Sequence, residues 1–145
     1  MRVTIPSNSL SAEAAVAAVS AAVAKAAEIG VAVNAAVVDP GGNLLAFLRG
    51  DGAFLPSGKI AIDKAYTAVG FKVATGQLYD ALKGDAAVLA GISAQPSVAL
   101  FQGGLPILDG SEIVAGIGIS GASAEQDELC AQAGINAIGL GPKQD

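Results

Sequence analysis

The sequence predicts an α+β fold, in which helices pack on an antiparallel sheet of about five strands. Apolar runs of alternating pattern are separated by the tight-turn signals Asp39-Pro40-Gly41-Gly42 and Asp109-Gly110. Strands that are joined by such short turns pair antiparallel. Segments with helical periodicity precede, interrupt and follow these strands, which favours an α+β fold over a parallel α/β one.

The composition predicts one globular domain over residues 1–145 and excludes several classes of protein. Apolar residues make up 52% of the chain and charged residues 14%, which is too apolar for a disordered protein. Such a composition predicts a homo-oligomer whose subunits cover part of the apolar surface. The net charge of −5 argues against nucleic acid or an anionic membrane as a partner. A single cysteine and the lack of a membrane-length apolar run predict a cytoplasmic protein.

The first half of the chain predicts a helix, a hairpin and a second helix. Ser11 is the predicted N-cap of the first helix, and Gly30 is predicted to follow its last turn. Residues 31–49 predict two strands around the first turn, and Val31, Val33, Ala35 and Val37 share one face of the first strand. The second helix is predicted over about residues 59–69.

The second half predicts a short helix, further strands and a last helix. The short helix begins after Thr75 and ends before Gly84. Two or three strands are predicted within residues 97–120, around the hairpin signal Asp109-Gly110. Ser123 and Gln126 have the spacing of a capping box, which starts a last helix that ends near residue 138.

Gly116, Gly118 and Gly121 form the pattern G-x-G-x-x-G, which is found in dinucleotide-binding folds. That fingerprint needs a parallel strand after the helix, and too few residues follow the last helix to supply one. The strand before the glycines also follows a hairpin. We therefore expect the glycines to let a helix or a ligand approach the sheet closely. In the predicted alternation, one face carries Ile113, Ala115, Ile117 and Ile119, and the other carries Val114, Gly116, Gly118 and Ser120.

Four phrases of the sequence together resemble the GlcG/HbpS family: "AVVDPGGNLLAFLRGDGA", "SGKIAIDKAYTAVGF", "FQGGLPI" and "VAGIGISGASAEQDELCAQAG". The resemblance covers about residues 9–139. The family includes haem-binding HbpS proteins and the C-terminal domain of PduO-type corrinoid adenosyltransferases. The resemblance implies a profilin-like fold with a central antiparallel sheet of about five strands. It also implies a homo-oligomer, often an octamer, and haem binding in some members.

Candidate site residues lie within these phrases. Lys64 occupies an apolar helical stripe, where burial would lower its pKa and suit it to act as a base or to hold an anion. Arg49 ends a strand and could bind a carboxylate through two hydrogen bonds. The predicted ligand-binding set is completed by a glycine-proline loop and by two residues around the start of the last helix: Gln102, Gly103, Gly104, Pro106, Ser120 and Asp127.

Each candidate also has a purely structural alternative. Lys64 could extend its stem to water or to a subunit interface. Arg49 could form a surface ion pair with Asp39 or Asp51, and the loop could be a bulge followed by an edge-strand proline. No cluster has the spacing of a metal site.

The sequence contains no histidine, which argues against haem as the cofactor. Haem iron is bound by His, Met, Cys or Tyr, which leaves Met1, Tyr66, Tyr79 and Cys130. The cofactor therefore stays unassigned. The favoured hypothesis is an oligomeric protein that binds an anionic organic ligand or a tetrapyrrole. Alternatives are a cofactor-independent lyase or isomerase with Lys64 as its base, and a structural protein whose assembly is its function.

Overall fold

A computed structural model describes residues 1–141, so the end of the predicted domain, residues 142–145, lies outside the described part. The described chain contains five helices and four strands. In chain order these are α1 (Ala12–Glu28), β1 (Asn34–Val38), β2 (Leu44–Arg49), α2 (Ser57–Phe71), α3 (Thr75–Leu82), α4 (Ala86–Ser93), β3 (Gly104–Asp109), β4 (Glu112–Ser120) and α5 (Ala124–Ala137).

The four strands form one antiparallel sheet in the order β2-β1-β4-β3. This arrangement confirms the predicted α+β class and both predicted hairpins. Strands β2 and β3 are the edges, and Pro106 lies in the edge strand β3, where a missing N–H costs least. The sheet has one strand fewer than the five predicted, because residues 97–102 do not form a strand in the described chain.

Two threonine side chains take the place of a strand partner in residues 97–104. The Thr67 hydroxyl accepts a hydrogen bond from the Ala99 N–H at 3.0 Å. The Thr75 hydroxyl donates to the Phe101 carbonyl at 2.6 Å and accepts from the Gly104 N–H at 3.0 Å. These backbone groups are satisfied without a neighbouring strand, so the segment stays irregular.

Helices cover both faces of the sheet. Helices α1 and α5 pack on one face over the main apolar core, whereas α2 packs on the other. A bulge in β4 corrects the predicted alternation, because Ile107 pairs with Ala115 and Leu108 with Ile113, which leaves Val114 unpaired. Val114 therefore joins the main core, and Ile113 packs on the α2 side.

The predicted helix ends are confirmed. Ser11 accepts a hydrogen bond from the Ala14 N–H, and Ser123 forms a complete capping box with Gln126. Helix α4 was not predicted; it begins at the N-cap Asp85, whose carboxylate accepts from the Val88 N–H at 3.2 Å. Within residues 1–141 no helix is long and apolar enough to cross a membrane.

The glycines of β4 admit α2 to the sheet. A Cβ atom at Gly118 would collide with the carbonyl oxygen of Ala61, and one at Gly116 with that of Ala65. Both collisions are with helix backbone, which cannot move aside as a flexible side chain can. The expectation of close packing against a helix is therefore confirmed at these two positions.

We expect Gly118→Ala to lower the free energy of unfolding by at least about 2 kcal/mol, because the new methyl group forces α2 away from β4. Gly70→Ala is the matched control. Gly70 lies in α2, the helix that packs on β4, and a Cβ added there meets nothing within 4 Å. It should be neutral or stabilising by up to about 1 kcal/mol. Urea denaturation measures both variants, and equal midpoints would contradict the packing argument.

Candidate functional site

Lys64 is fully buried, with 0% of its side chain exposed. Its ammonium donates to the Ile119 carbonyl at 2.8 Å and to Asp127 Oδ2 at 3.1 Å. It also lies 4.5 Å from the centroid of the Phe101 ring, within the range of a cation–π contact. Lysine is almost never fully buried unless it is paired, so these three contacts account for its position.

Asp127 reaches the same point from the first turn of α5. Its Oδ1 atom accepts a hydrogen bond from the Ala122 N–H at 3.0 Å, while Oδ2 accepts from Lys64. Only 4% of its side chain is exposed. The carboxylate therefore fixes the turn between β4 and α5 and neutralises the buried ammonium at the same time.

Burial and pairing act in opposite directions on this pair. Burial lowers the pKa of Lys64, and the charge of Asp127 partly opposes that change. Burial likewise raises the pKa of Asp127, opposed by Lys64 and by backbone N–H donors. For both groups burial has the larger effect on the pKa. The protein interior therefore destabilises the charged form of each side chain, and the opposite charge of its partner offsets part of that cost.

Gly103 makes room for the ammonium. Its φ of 126° lies in the region that favours glycine, and a Cβ there would lie 2.7 Å from Lys64 Nζ. Gly104 is equally confined, because its Cβ would lie 2.5 Å from the Lys64 carbonyl oxygen. The two glycines thus allow the loop to close directly over Lys64.

An open cleft of about 550 Å³ lies beside this buried pair. Its walls come from α3, from residues 100–102 and from the start of α5. Across it, Gln102 Nε2 donates to Glu128 Oε2 at 3.1 Å. The cleft is lined by Gly76, Gln77, Tyr79, Asp80, Leu100, Phe101, Gln102, Ala124 and Glu128.

The structure brings most of the predicted site residues together at one end of the sheet. Lys64 and Asp127 are in contact, Gly103 and Gly104 lie against Lys64, and Gln102 lines the cleft. Ser120 is buried next to Ile119, whose carbonyl binds Lys64.

Two predicted residues lie outside this group. Arg49 is exposed on the edge strand β2, separated from Ser120 by β1. Neither of the ion pairs predicted for it, with Asp39 or Asp51, occurs within residues 1–141. Pro106 lies two residues into β3 and does not line the cleft.

Phe101 and Glu128 were not predicted as site residues, and Tyr79 was considered only as a residue that could bind haem iron. A signal existed for Phe101, which begins the phrase "FQGGLPI". Tyr79 and Glu128 carry no pattern of their own, since only the tertiary packing of α3 against the start of α5 places them in one cleft. Cys130, one of the residues of an iron-binding type, is buried in the core.

Comparison with known proteins gives consistent matches over almost the whole chain. The family model described as "Haem degrading protein HbpS-like" matches residues 10–136. An uncharacterised 15.0 kDa protein of the dhaT-dhaS intergenic region of Citrobacter freundii is 37% identical over 116 residues, covering 79% of this chain and 82% of that protein.

Two solved structures extend the similarity to the fold. A double mutant of Streptomyces reticuli HbpS is 41% identical, with a TM-score of 0.85, covering 94% of this chain and 91% of the other. The PduOC:Heme complex is 36% identical, with a TM-score of 0.84, covering 94% and 99% of the two chains. The profilin-like fold and the predicted resemblance are confirmed by these matches.

We expect Asp127→Asn to lower the free energy of unfolding by about 3–5 kcal/mol, because it leaves a buried ammonium without its counter-charge. A double variant, Lys64→Met with Asp127→Leu, should recover most of the loss. As the control, Asp63→Asn removes the pair with Lys59, whose side chain is 78% exposed, and should cost at most about 1 kcal/mol. Urea denaturation compares them, and equal losses would contradict the buried pair's role.

The Asp127→Asn variant should also gain stability as the pH rises from neutral towards 10.5, the ordinary pKa of lysine. Without the carboxylate, the pKa of native Lys64 falls further below that of the unfolded chain. Between the two values the unfolded state binds more protons, so the free energy of unfolding increases with pH. Lys64→Met combined with Asp127→Asn is the reference, and a constant difference between the two variants across this range would refute the assignment.

Proposed function

This chain belongs to the HbpS-like family, and we propose on that basis that it binds a small organic ligand in the cleft beside α3. The observation that carries the proposal is a cleft of about 550 Å³ next to a buried polar pair. A relative of the same fold, PduOC, was solved as a complex with haem. Concave sites with mixed apolar and polar walls are typical of ligand pockets.

The walls of the cleft supply a plausible set of ligand contacts. Phe101 and Tyr79 offer ring faces, and Gln77 and Gln102 offer amide donors and acceptors. A neighbouring groove of about 440 Å³ shares Gln77 and Glu128 with the cleft and extends it along α5. Together they would accommodate an elongated ligand.

The residues of the cleft do not fit a ligated haem. The sequence has no histidine, Cys130 is fully buried in the core, and Met1 lies at the exposed terminus. Tyr79 is therefore the one side chain of an iron-binding type that lines the cleft. No lysine or arginine lines it that could pair with haem propionates, and Asp80 and Glu128 add negative charge to its walls. A metal-free organic ligand fits these walls better.

The position of Lys64 favours binding over catalysis. A catalytic base must come within hydrogen-bond reach of the proton that it removes. Lys64 has no exposed surface, and Phe101 lies over its ammonium. The lyase or isomerase alternative therefore requires that Lys64 be exposed and released from Asp127 to act as a base, whereas the walls of the cleft can contact a ligand as they stand.

We further propose that the protein is a cytoplasmic homo-oligomer that assembles through the edge strand β2. Leu44, Phe47 and Leu48 in this strand are 51%, 40% and 37% exposed. An edge strand also presents unpaired backbone groups that a second copy can satisfy. The family resemblance adds the octamer as the expected assembly.

We expect Leu48→Lys to shift the assembly to a smaller species in native mass spectrometry, because a buried ammonium at the subunit contact would lack a partner. Val88→Lys is the matched control, since Val88 is 41% exposed on α4, away from β2. It should leave the mass unchanged. A monomeric wild-type protein, or an unchanged assembly in Leu48→Lys, would contradict the proposed interface.

The purified protein should carry additional mass from a bound small molecule, and Ala124→Trp should abolish it by filling the cleft. Ala86→Trp is the control, because Ala86 is also the exposed first residue of a helix but lies outside the cleft. Native mass spectrometry reports the retained ligand. The absence of additional mass from the wild-type protein, or its persistence in Ala124→Trp, would count against ligand binding in the cleft.

Hemin should cause no saturable one-to-one Soret shift. Tyr66 and Tyr79 are both 42% exposed, but only Tyr79 lines the cleft. A stoichiometric shift that Tyr79→Phe abolishes and Tyr66→Phe retains would establish haem as the ligand instead.

A further inference from the structure

Among the described residues, only two oxygen atoms accept hydrogen bonds from the Lys64 ammonium. A protonated lysine carries three N–H donors. Two of them are used by the Ile119 carbonyl and by Asp127 Oδ2. The remaining contact of the ammonium is the face of Phe101, 4.5 Å from the ring centroid. A ring face attracts a cation more weakly than a well-placed oxygen acceptor does.

Phe101 separates this ammonium from open space. The residue lines the cleft of about 550 Å³ and also a second one of about 350 Å³, bounded by Ile60, Asp63 and residues 98–101. It is 48% exposed, whereas Lys64 directly beneath it is fully buried. A change of rotamer at this single ring would therefore connect the ammonium with the cleft.

The backbone that carries Phe101 does not hold the ring in a strand or a helix. Residues 97–102 are irregular and are attached through the hydroxyl groups of Thr67 and Thr75. The hydrogen bonds of these threonines go to backbone atoms. The Phe101 ring can thus move without breaking any of them.

The charges around the site determine which ligand group can best accept a hydrogen bond from the third N–H of Lys64. Asp127 already neutralises Lys64, and Asp80 and Glu128 line the adjacent cleft. A ligand carboxylate would place a second negative charge beside Asp127 in a buried position, where an uncompensated charge is costly. A carbonyl, amide or hydroxyl oxygen accepts the same hydrogen bond without that cost.

We propose that Phe101 is a removable wall of the cleft, and that the ligand presents a neutral oxygen acceptor to Lys64 when the ring moves aside. The inference rests on the proposed function, because it assigns the ligand's chemical class at the same cleft. It differs from the anionic ligand that the sequence predicted. Lys64 here contributes affinity and selectivity.

The first experiment tests the wall through reductive methylation with formaldehyde and a borane reductant, read by peptide mass spectrometry. Lys59, whose side chain is 78% exposed, serves as the internal standard. We expect Lys64 to stay unmodified in the wild type and to react at least about tenfold faster in Phe101→Ala. Phe71→Ala removes a ring of similar exposure away from the cleft and should behave as the wild type.

A control separates local opening from unfolding. Cys130 is fully buried in the core, so its alkylation by iodoacetamide reports global exposure. If Phe101→Ala exposes Cys130 as well, Phe101→Leu replaces it as the test variant, because leucine retains most of the apolar volume. If Lys64 in a folded Phe101 variant is methylated as slowly as in the wild type, Phe101 is not a removable wall of the cleft.

The second experiment tests the ligand class with acetamide and acetate, two probes of almost equal shape. Each is added to Phe101→Ala, and the protection of Lys64 from methylation is measured against concentration. We expect acetamide to protect at concentrations at least about tenfold lower than acetate, because of the charge already present. Stronger protection by acetate, or no protection by either probe, overturns the ligand assignment.

The failure of this inference can be distinguished from failure of the proposed function. Lys64→Met with Asp127→Leu should lose the ligand retained by the wild-type protein, if Lys64 binds it. Retention in this double variant, together with loss in Ala124→Trp, would leave ligand binding in the cleft intact and refute the role of Lys64. Loss in neither variant would refute both.

Discussion

Helix α2 lies on the backbone of β4 because Gly116 and Gly118 leave one face of that part of the strand without side chains. This close approach sets the distance between α2 and the sheet. That distance in turn determines which atoms of the sheet the inward-facing side chains of α2 can contact. Lys64, whose Cβ would lie 3.0 Å from a Cβ at Gly118, can then extend along the sheet to the Ile119 carbonyl. Side chains at either glycine would lift the helix and withdraw the ammonium from both its oxygen partners.

The buried pair of Lys64 and Asp127 connects elements that are far apart in sequence. The two residues are separated by 63 positions, and their contact joins α2 to the turn that starts α5. A buried ion pair of this kind adds little net stability compared with apolar residues of the same volume. Its value lies in specificity, since only one arrangement of these helices satisfies both charges.

The sequence was sufficient wherever local chemistry decides the structure. Residues near one another in the chain determine three kinds of feature: the helix caps at Ser11 and Ser123, the two hairpin turns and the glycine-lined strand. Lys64 was singled out for the same reason, because its helical stripe is apolar, although the sequence left open whether its ammonium is buried or reaches water. The fold class needed no tertiary information.

Contacts between distant segments decided the rest. The strand predicted within residues 97–102 is replaced by hydrogen bonds from Thr67 and Thr75, about thirty positions away. The bulge at Val114 depends on the register with β3, which alternation alone does not reveal. The contact between Asp127 and Lys64 was not predicted, because no spacing rule links residues on two different helices.

The hydrogen bonds of Thr67 and Thr75 also connect one wall of the cleft to helices α2 and α3. Thr67 belongs to α2 and Thr75 begins α3, so the segment over Lys64 is suspended between two helices rather than fixed to one. A ligand in the proposed cleft that displaced the backbone of this segment, and not only the Phe101 ring, would act on both attachments at once. Its binding would then be coupled to the packing of α2 on the sheet, and the coupling would be reciprocal.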